Sequence, residues 1–112
     1  MKDGGRIVII SSSTVTALPP LSGPYSASKS AGDTLVRMAA KEFGPRGITV
    51  NSVSPGPIQT DMLLIEPSLI AEQTPLGRIG EPEDVAGIVG FLVSPDGGWV
   101  TGQTIVAAGG LV

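Results

Sequence analysis

Apolar residues fall into short blocks separated by glycine, proline and serine, and the blocks alternate between strand and helix patterns. Residues 6–10 (RIVII) form a nearly continuous apolar run, which is typical of a parallel strand buried on both faces. Residues 48–53 (ITVNSV) are rich in β-branched side chains and predict a second strand. Residues 104–107 predict a last, short strand. The pattern therefore indicates at least three strands.

Two of the intervening blocks have helical periodicity. Apolar positions recur at helical spacing over residues 25–43, and Gly44 and Pro45 end this predicted helix. A second helix is predicted over residues 83–93, where acidic residues in the first turn suit the helix dipole. A strand, a helix and a second strand in this order predict a βαβ unit with a right-handed crossover. The class is therefore α/β, with a parallel sheet.

The segments between these elements are predicted to be irregular. Residues 14–24 contain three prolines and are predicted to be loop. Residues 54–57 (SPGP) are predicted to break any regular element. Short helical pieces are expected over residues 61–65, capped by Thr60 or Asp61, and over residues 69–72, with Pro67 breaking the stretch between them.

Composition excludes several classes of function. The 112 residues leave room for one domain, and a net charge of −3 argues against a nucleic-acid partner. The sequence contains no run of eighteen apolar residues, so no membrane span is predicted. The absence of cysteine fits a cytoplasmic protein. Because there is no histidine or cysteine, no metal site is expected, and a Ser-His-Asp triad within this chain is excluded.

The candidate chemistry lies in residues 11–29, SSSTVTALPPLSGPYSASK. Tyr25 and Lys29 are four residues apart, so on a helix they occupy one face. An ammonium beside a phenol favours loss of the phenol proton, which makes the pair a candidate acid/base. An exposed helical pair without function is the alternative, and the motif alone does not decide between them. The serines at residues 11–13 favour chemistry, because ligands in open α/β sheets bind outside the carboxyl ends of strands.

Five segments together resemble the short-chain dehydrogenase/reductase family, in the manner of 3-oxoacyl-acyl-carrier-protein reductases. They are GRIVIISSS, YSASK, GITVNSVSPGPIQT, PLGRIGEPEDVAG, and TGQ followed by Gly109-Gly110. The resemblance implies an NAD(P)-dependent oxidoreductase that interconverts a carbonyl and a secondary alcohol, with NADP or NAD as cofactor. It assigns Tyr25 as general acid/base, Lys29 as the lysine that assists it and binds the cofactor ribose, and Ser12 as the hydroxyl that polarises the substrate oxygen. Ser11 and Ser13 are near alternatives, and Ser13 is also a candidate for substrate binding.

The same resemblance assigns a cofactor loop and a lid. Pro55 and Gly56 would open a loop under the nicotinamide, the backbone of Ile58 would contact the carboxamide, and the Thr60 hydroxyl would lie near the carboxamide or phosphates. Tyr25 and Lys29 would also touch the cofactor. Asn51 would be a structural asparagine. Residues 61–75 would form the substrate lid, with Met62 in an apolar wall.

This sequence lacks the glycine-rich turn that holds the cofactor pyrophosphate in the family. The expected architecture is therefore a single partial domain: the C-terminal half of a doubly wound, Rossmann-like fold, with three strands and helices on the faces. The isolated chain is expected to lack the pyrophosphate-binding half. The alternative function is a non-catalytic truncated fragment that acts as an oligomerisation module, and a homo-oligomer is expected through helices 25–43 and 83–93.

Overall fold

The computed structural model describes residues 1–61 and 63–112. Three strands and four α-helices follow one another along these residues: β1 (Arg6–Ile10), α1 (Thr14–Ala17), α2 (Gly23–Phe43), β2 (Thr49–Pro55), α3 (Pro67–Gln73), α4 (Pro82–Val93) and β3 (Thr104–Ala107). Single 3₁₀ turns follow α2 and α4.

The three strands form one parallel sheet in the order β1-β2-β3. Ile7 pairs with Val50 in the first ladder, and Val53 pairs with Ile105 in the second. The predicted parallel α/β architecture is confirmed. Burial of β1 differs from the expectation. It is one of the two outer strands, its first four residues are half-buried, and Ile10 is 47% exposed. An outer strand has a neighbour on one side only, so its apolar side chains are less completely covered.

The predicted loop over residues 14–24 is wrong in part, because Thr14–Ala17 form the short helix α1. The carbonyl of Ser13 accepts hydrogen bonds from the N–H groups of Thr16 and Ala17. Helix α2 also begins two residues earlier than predicted, at Gly23. Pro24 fits there because the first turn of a helix needs no N–H donor from it.

Two other prolines were also misinterpreted. Strand β2 continues to Pro55, whose carbonyl accepts a hydrogen bond of 2.9 Å from the Ser13 N–H. Pro67 begins α3 rather than interrupting a helical stretch, so one helix replaces the second predicted piece. Asp61 and residues 63–65 lie outside any helix, and the Thr60 carbonyl accepts a turn hydrogen bond from Leu63. Proline breaks elements internally but is tolerated at their ends.

The core lies between α2 and the sheet. Val36 and Ala40 of α2 pack with Ile48 and Val50, and partly buried apolar side chains of β1 and α2 surround them. By contrast, four of the six apolar positions behind the prediction of α2 are exposed, and two pack partly buried against the core. The exposed ones are Ala27, Ala31, Leu35 (65% exposed) and Met38, and the others are Ala39 and Phe43. Apolar residues occur on more than one face of this helix, so periodicity alone does not identify the face that meets the sheet.

Helix α4 contacts β1 and β2 and begins with a capping box formed by Glu81 and Asp84. Its predicted bounds are confirmed within a residue. Among the helices of residues 1–61 and 63–112, none has both the length and the apolar character needed to cross a bilayer.

Candidate active site

The carboxyl ends of the three strands meet at one edge of the sheet. Beyond the end of β1, the Ser11 N–H donates to the Val53 carbonyl at 2.7 Å, so the β1–β2 ladder continues into the serine cluster. The Gly56 N–H donates to the Ala107 carbonyl at 2.9 Å, which joins the loop after β2 to the end of β3. The segments with candidate chemistry therefore lie side by side, as the topology predicts.

Ser12 lies two residues after the end of β1, at this edge of the sheet, and is 9% exposed. Its hydroxyl oxygen accepts hydrogen bonds from the Thr14 hydroxyl at 3.0 Å and from the Thr14 N–H at 3.3 Å. Because a serine hydroxyl has one proton and two lone pairs, this arrangement leaves its proton for another acceptor. Sequence reasoning missed Thr14, although its position two residues after the serine was a usable signal.

Lys29 links α2 to the end of β1. Its ammonium donates to the Ile10 carbonyl at 3.3 Å and lies 5.8 Å from the centroid of the Tyr25 ring. The structure thus brings the predicted pair together on one face of the helix. Tyr25 is 51% exposed, and within residues 1–61 and 63–112 no hydrogen bond joins it to Ser12.

One further carboxylate reaches the same edge. Asp33 lies one helical turn after Lys29, and its two oxygens accept separate hydrogen bonds, from the Ser11 hydroxyl at 2.9 Å and the Ser52 hydroxyl at 2.7 Å. Both serines are buried. No sequence motif indicated Asp33, and only the helical spacing from Lys29 could have suggested it.

Asn51 is fully buried in β2. Its side-chain amide donates to the Val100 carbonyl at 2.8 Å, and its oxygen accepts from the Gln103 N–H at 3.1 Å. The side chain thus holds the segment before β3 against β2. This contact pattern agrees with the structural role that the sequence suggested.

The loop after β2 is held on two sides. A Cβ at Gly56 would lie 2.8 Å from the Ala108 Cβ, so only glycine fits this approach. Ile58 forms an isolated parallel bridge with Gly80, through the hydrogen bonds Gly80 N–H to Pro57 carbonyl and Gln59 N–H to Gly80 carbonyl. In this pattern the N–H and C=O groups of Ile58 point away from Gly80.

The remaining predicted site residues are Thr60, Met62 and Ser13. Thr60 follows the bridge and is exposed. Met62, predicted to line the substrate wall, lies outside the described residues. Ser13 is buried, and its backbone is used in the contacts to Pro55 and α1.

A cavity of about 220 Å³ is lined by the loop that contains Ile58, by α4 and by residues at the end of β3. It is lined mainly by apolar side chains, and Tyr25 and Lys29 do not line it. At its rim, Arg78 binds Asp84 with two hydrogen bonds, of 2.7 and 2.8 Å. The hydrogen bonds from Arg78 and from the Glu81 N–H hold the pKa of Asp84 well below its usual range.

A family model described as enoyl-(acyl carrier protein) reductase matches residues 1–112. The chain belongs to the short-chain dehydrogenase/reductase family. The predicted resemblance is therefore confirmed. Of the similar proteins, the NADPH-dependent aldehyde reductase-like protein of Arabidopsis thaliana is 47% identical, over 97% of this chain and 42% of its own length. Dehydrogenase OXI1 of Cochliobolus heterostrophus is 48% identical, over 100% of this chain and 53% of its own.

Solved structures of the family have the same arrangement of elements. A blue fluorescent protein from a metagenomic library, solved in complex with NADPH, matches with a TM-score of 0.93 and 40% identity. The match covers 100% of this chain and 47% of that one. The chain thus spans about half the length of the relatives it matches, and the fold is part of a Rossmann-like domain of this family.

Proposed function

We propose that this edge of the sheet is the proton-transferring side of an NAD(P)-dependent oxidoreductase site that interconverts a carbonyl and a secondary alcohol. The observation that carries the proposal is the placement of Lys29 between the Tyr25 ring and the carbonyl of Ile10, two residues before the buried Ser12. A general acid, a fixed positive charge and a hydroxyl donor at one strand edge suit proton transfer to a substrate oxygen.

We assign each of these residues a role in this chemistry. Ser12, whose oxygen accepts hydrogen bonds from Thr14, donates a hydrogen bond to the substrate oxygen and thereby polarises the carbonyl. Tyr25 delivers the proton to that oxygen in reduction and takes it back in oxidation. Lys29 stabilises negative charge on the phenol oxygen. Ser13 and Met62 are proposed to contact the substrate, with residues 61–75 as its lid.

The residues of the loop after β2 fit a nicotinamide cofactor, NADP or NAD. Pro55 and Gly56 bring this loop close against Ala108, where a side chain at Gly56 would clash, and the main-chain groups of Ile58, which point away from Gly80, would hold the carboxamide. Thr60, Tyr25 and Lys29 complete the proposed set. The cofactor, when bound, supplies the hydride. The solved relative that contains NADPH and the Arabidopsis relative named for NADPH support this choice.

A second candidate function is an association module without activity of its own. The observation that favours it is the exposed apolar surface on the two long helices, which includes Leu35 and Met38 of α2 and Phe91 and Val93 of α4. Burial of such side chains in a dimer is favourable, at about 25 cal/mol per Å² of apolar surface. We propose a homo-oligomer through these helices under either function.

The two functions are separated by cofactor titration of the purified 112-residue chain. If the chain acts as the proposed oxidoreductase, the fluorescence of NADPH or NADH should change saturably on binding. Carbonyl-dependent oxidation of the cofactor should then be lost in Tyr25→Phe. Trp99→Phe, a change at another exposed aromatic side chain, is the matched control and should retain activity. No binding up to millimolar cofactor, together with self-association, would favour the module. Activity retained in Tyr25→Phe would exclude the proposed proton role.

A further inference from the structure

Asp33 of α2 forms two side-chain hydrogen bonds with residues outside its own helix. It lies on the sheet-facing side of α2, half-buried, one turn after Lys29. Each of its carboxylate oxygens accepts one serine hydroxyl, from Ser11 just beyond β1 and from Ser52 within β2. One side chain of the helix therefore bridges two neighbouring strands at their carboxyl ends.

The bridge adjoins the anchor of Lys29. The ammonium of Lys29 donates to the carbonyl of Ile10, and the next residue, Ser11, donates to Asp33. Ile10 and Ser11 are consecutive in the chain, and they bind Lys29 and Asp33, which lie one helical turn apart on α2. A shift of Ser11 would move the adjacent Ile10 carbonyl, and with it the ammonium that stands over the Tyr25 ring.

We propose that Asp33 is a positioning residue, which fixes the carboxyl ends of β1 and β2 and thereby sets the place of Lys29 against Tyr25. The inference rests on the proposed function, because it assigns Asp33 a role toward that site. Hydrogen bonds from hydroxyl groups to a carboxylate are stronger than those between neutral groups. The two buried serines would otherwise need other acceptors, since buried hydroxyl groups without partners are costly.

One chemical feature makes the carboxylate specific for this role. An aspartate accepts with both oxygens, whereas the isosteric asparagine offers one oxygen and one donor. Asp33→Asn would therefore satisfy one serine hydroxyl and present a donor to the other. The change keeps the volume of the side chain, so its effect reports the lost bridge rather than a cavity.

The test uses the single tyrosine of the chain as a spectroscopic probe. With tyrosine labelled isotopically, the ring signals in the NMR spectrum belong to Tyr25 alone, and Lys29→Met defines the signals of a ring without its ammonium. We expect Asp33→Asn to move the Tyr25 signals toward those of Lys29→Met. The paired change Ser11→Ala with Ser52→Ala should produce the same displacement and guards against misfolding of the aspartate variant.

Glu42→Gln is the matched control, because it replaces an exposed carboxylate on the same helix by an amide. Its Tyr25 signals should coincide with those of the unchanged chain. Coincident signals in Asp33→Asn would overturn the positioning role and leave Asp33 a structural residue. Movement in Asp33→Asn but not in the serine pair would overturn the route through Ser11. Because the readout needs neither cofactor nor turnover, its outcome is independent of the activity test of the proposed function.

A second readout measures the bridge itself. The free energies of unfolding of Asp33→Asn, Ser52→Ala and the double variant form a cycle that isolates their interaction. We expect the double variant to be less destabilised than the sum of the single changes. Additive effects would contradict the bridge.

Discussion

Ile58 and Gly80 approach so closely that a side chain at residue 80 would displace the end of the Ile58 side chain. A Cβ built on Gly80 would lie 2.5 Å from the Ile58 Cδ1, at the parallel bridge that joins their segments. The glycine thus permits the loop that we assign to the cofactor to lie against the segment before α4. Because Gly80 does not adopt a positive φ, space rather than backbone conformation requires glycine here.

We predict that Gly80→Ala destabilises the chain by about 1 kcal/mol, since the added methyl group forces the Ile58 side chain to move and lies close to the Pro57 carbonyl. The clash is with the terminal Cδ1 of Ile58, which valine lacks. Gly80→Ala combined with Ile58→Val should therefore recover part of the lost stability. Urea unfolding of the single and double variants measures both effects.

The matched control is Gly87→Ala, the same substitution within α4 at a position with no atom within 4 Å of a new Cβ. Alanine is favoured over glycine inside a helix, so this variant should gain about 0.5–1 kcal/mol. Equal effects at positions 80 and 87, or no recovery with Ile58→Val, would contradict the steric explanation.

A second prediction concerns the hydrogen bond from Thr14 to Ser12. Thr14→Val removes the hydroxyl that donates to the Ser12 oxygen at 3.0 Å and keeps the shape of the side chain. Since one hydrogen bond contributes about 1 kcal/mol, we expect the rate of carbonyl reduction to fall about three- to tenfold. Ser12→Ala should cost more, because it removes the group that meets the substrate.

The measurement is the rate of cofactor oxidation at saturating carbonyl substrate, with cofactor affinity determined separately by fluorescence. Thr14→Ser, which retains a hydroxyl, is the control and should act like the unchanged chain. A Thr14→Val variant with the full rate would show that Ser12 needs no orientation by Thr14.

The third prediction follows from the Arg78–Asp84 pair. The hydrogen bond from Arg78, followed by that from the Glu81 N–H, lowers the pKa of the Asp84 carboxyl in the folded chain. An aspartate in the unfolded chain titrates near about 3.9, so below that pH the unfolded state takes up a proton that the folded state does not. The stabilisation is thus complete above about pH 5 and decreases as the pH falls below about 4 toward the lowered pKa.

Asp84→Asn should accordingly be less stable than the unchanged chain at neutral pH, and the difference should diminish on acidification. Thermal unfolding between pH 3 and pH 7 measures it. Glu83→Gln, in the same first turn of α4, is the control for charge near the helix dipole. A difference that stays constant down to pH 3 would exclude the pair as its source.

Much of the fold could be predicted from the sequence, because its strands and long helices carry strong local signals. The bounds of β1 and β3 were predicted as observed, and α4 within a residue. The errors lie at Pro55 and Pro67, at the start of α2, in residues 14–17 and in the helical piece predicted from residue 61. At Pro55 and Pro67, proline had been interpreted as a breaker, although tertiary contacts at the ends of elements accommodate it.

The candidate site was predictable only where a family pattern exists. The structure places Ser12 at the strand edge and brings Tyr25 and Lys29 together, in agreement with the pattern. Thr14 and Asp33 were missed because their roles arise from hydrogen bonds to residues of other elements, or across a turn that had been predicted to be loop. Such contacts depend on how α1 and α2 pack against the sheet, which local sequence does not encode.

The last prediction concerns the exposed stripe of α2 and the proposed homo-oligomer. Leu35 is 65% exposed, so Leu35→Glu should leave the folding of a single chain nearly unchanged. If α2 packs against a second copy, the substitution places a charge in an apolar contact, which costs several kcal/mol without a partner. Sedimentation velocity should then show a shift from dimer toward monomer. Gln73→Glu, which adds the same charge at an exposed position of α3, is the control and should retain the original mass. An unchanged association state in Leu35→Glu would exclude this face of α2 as the contact.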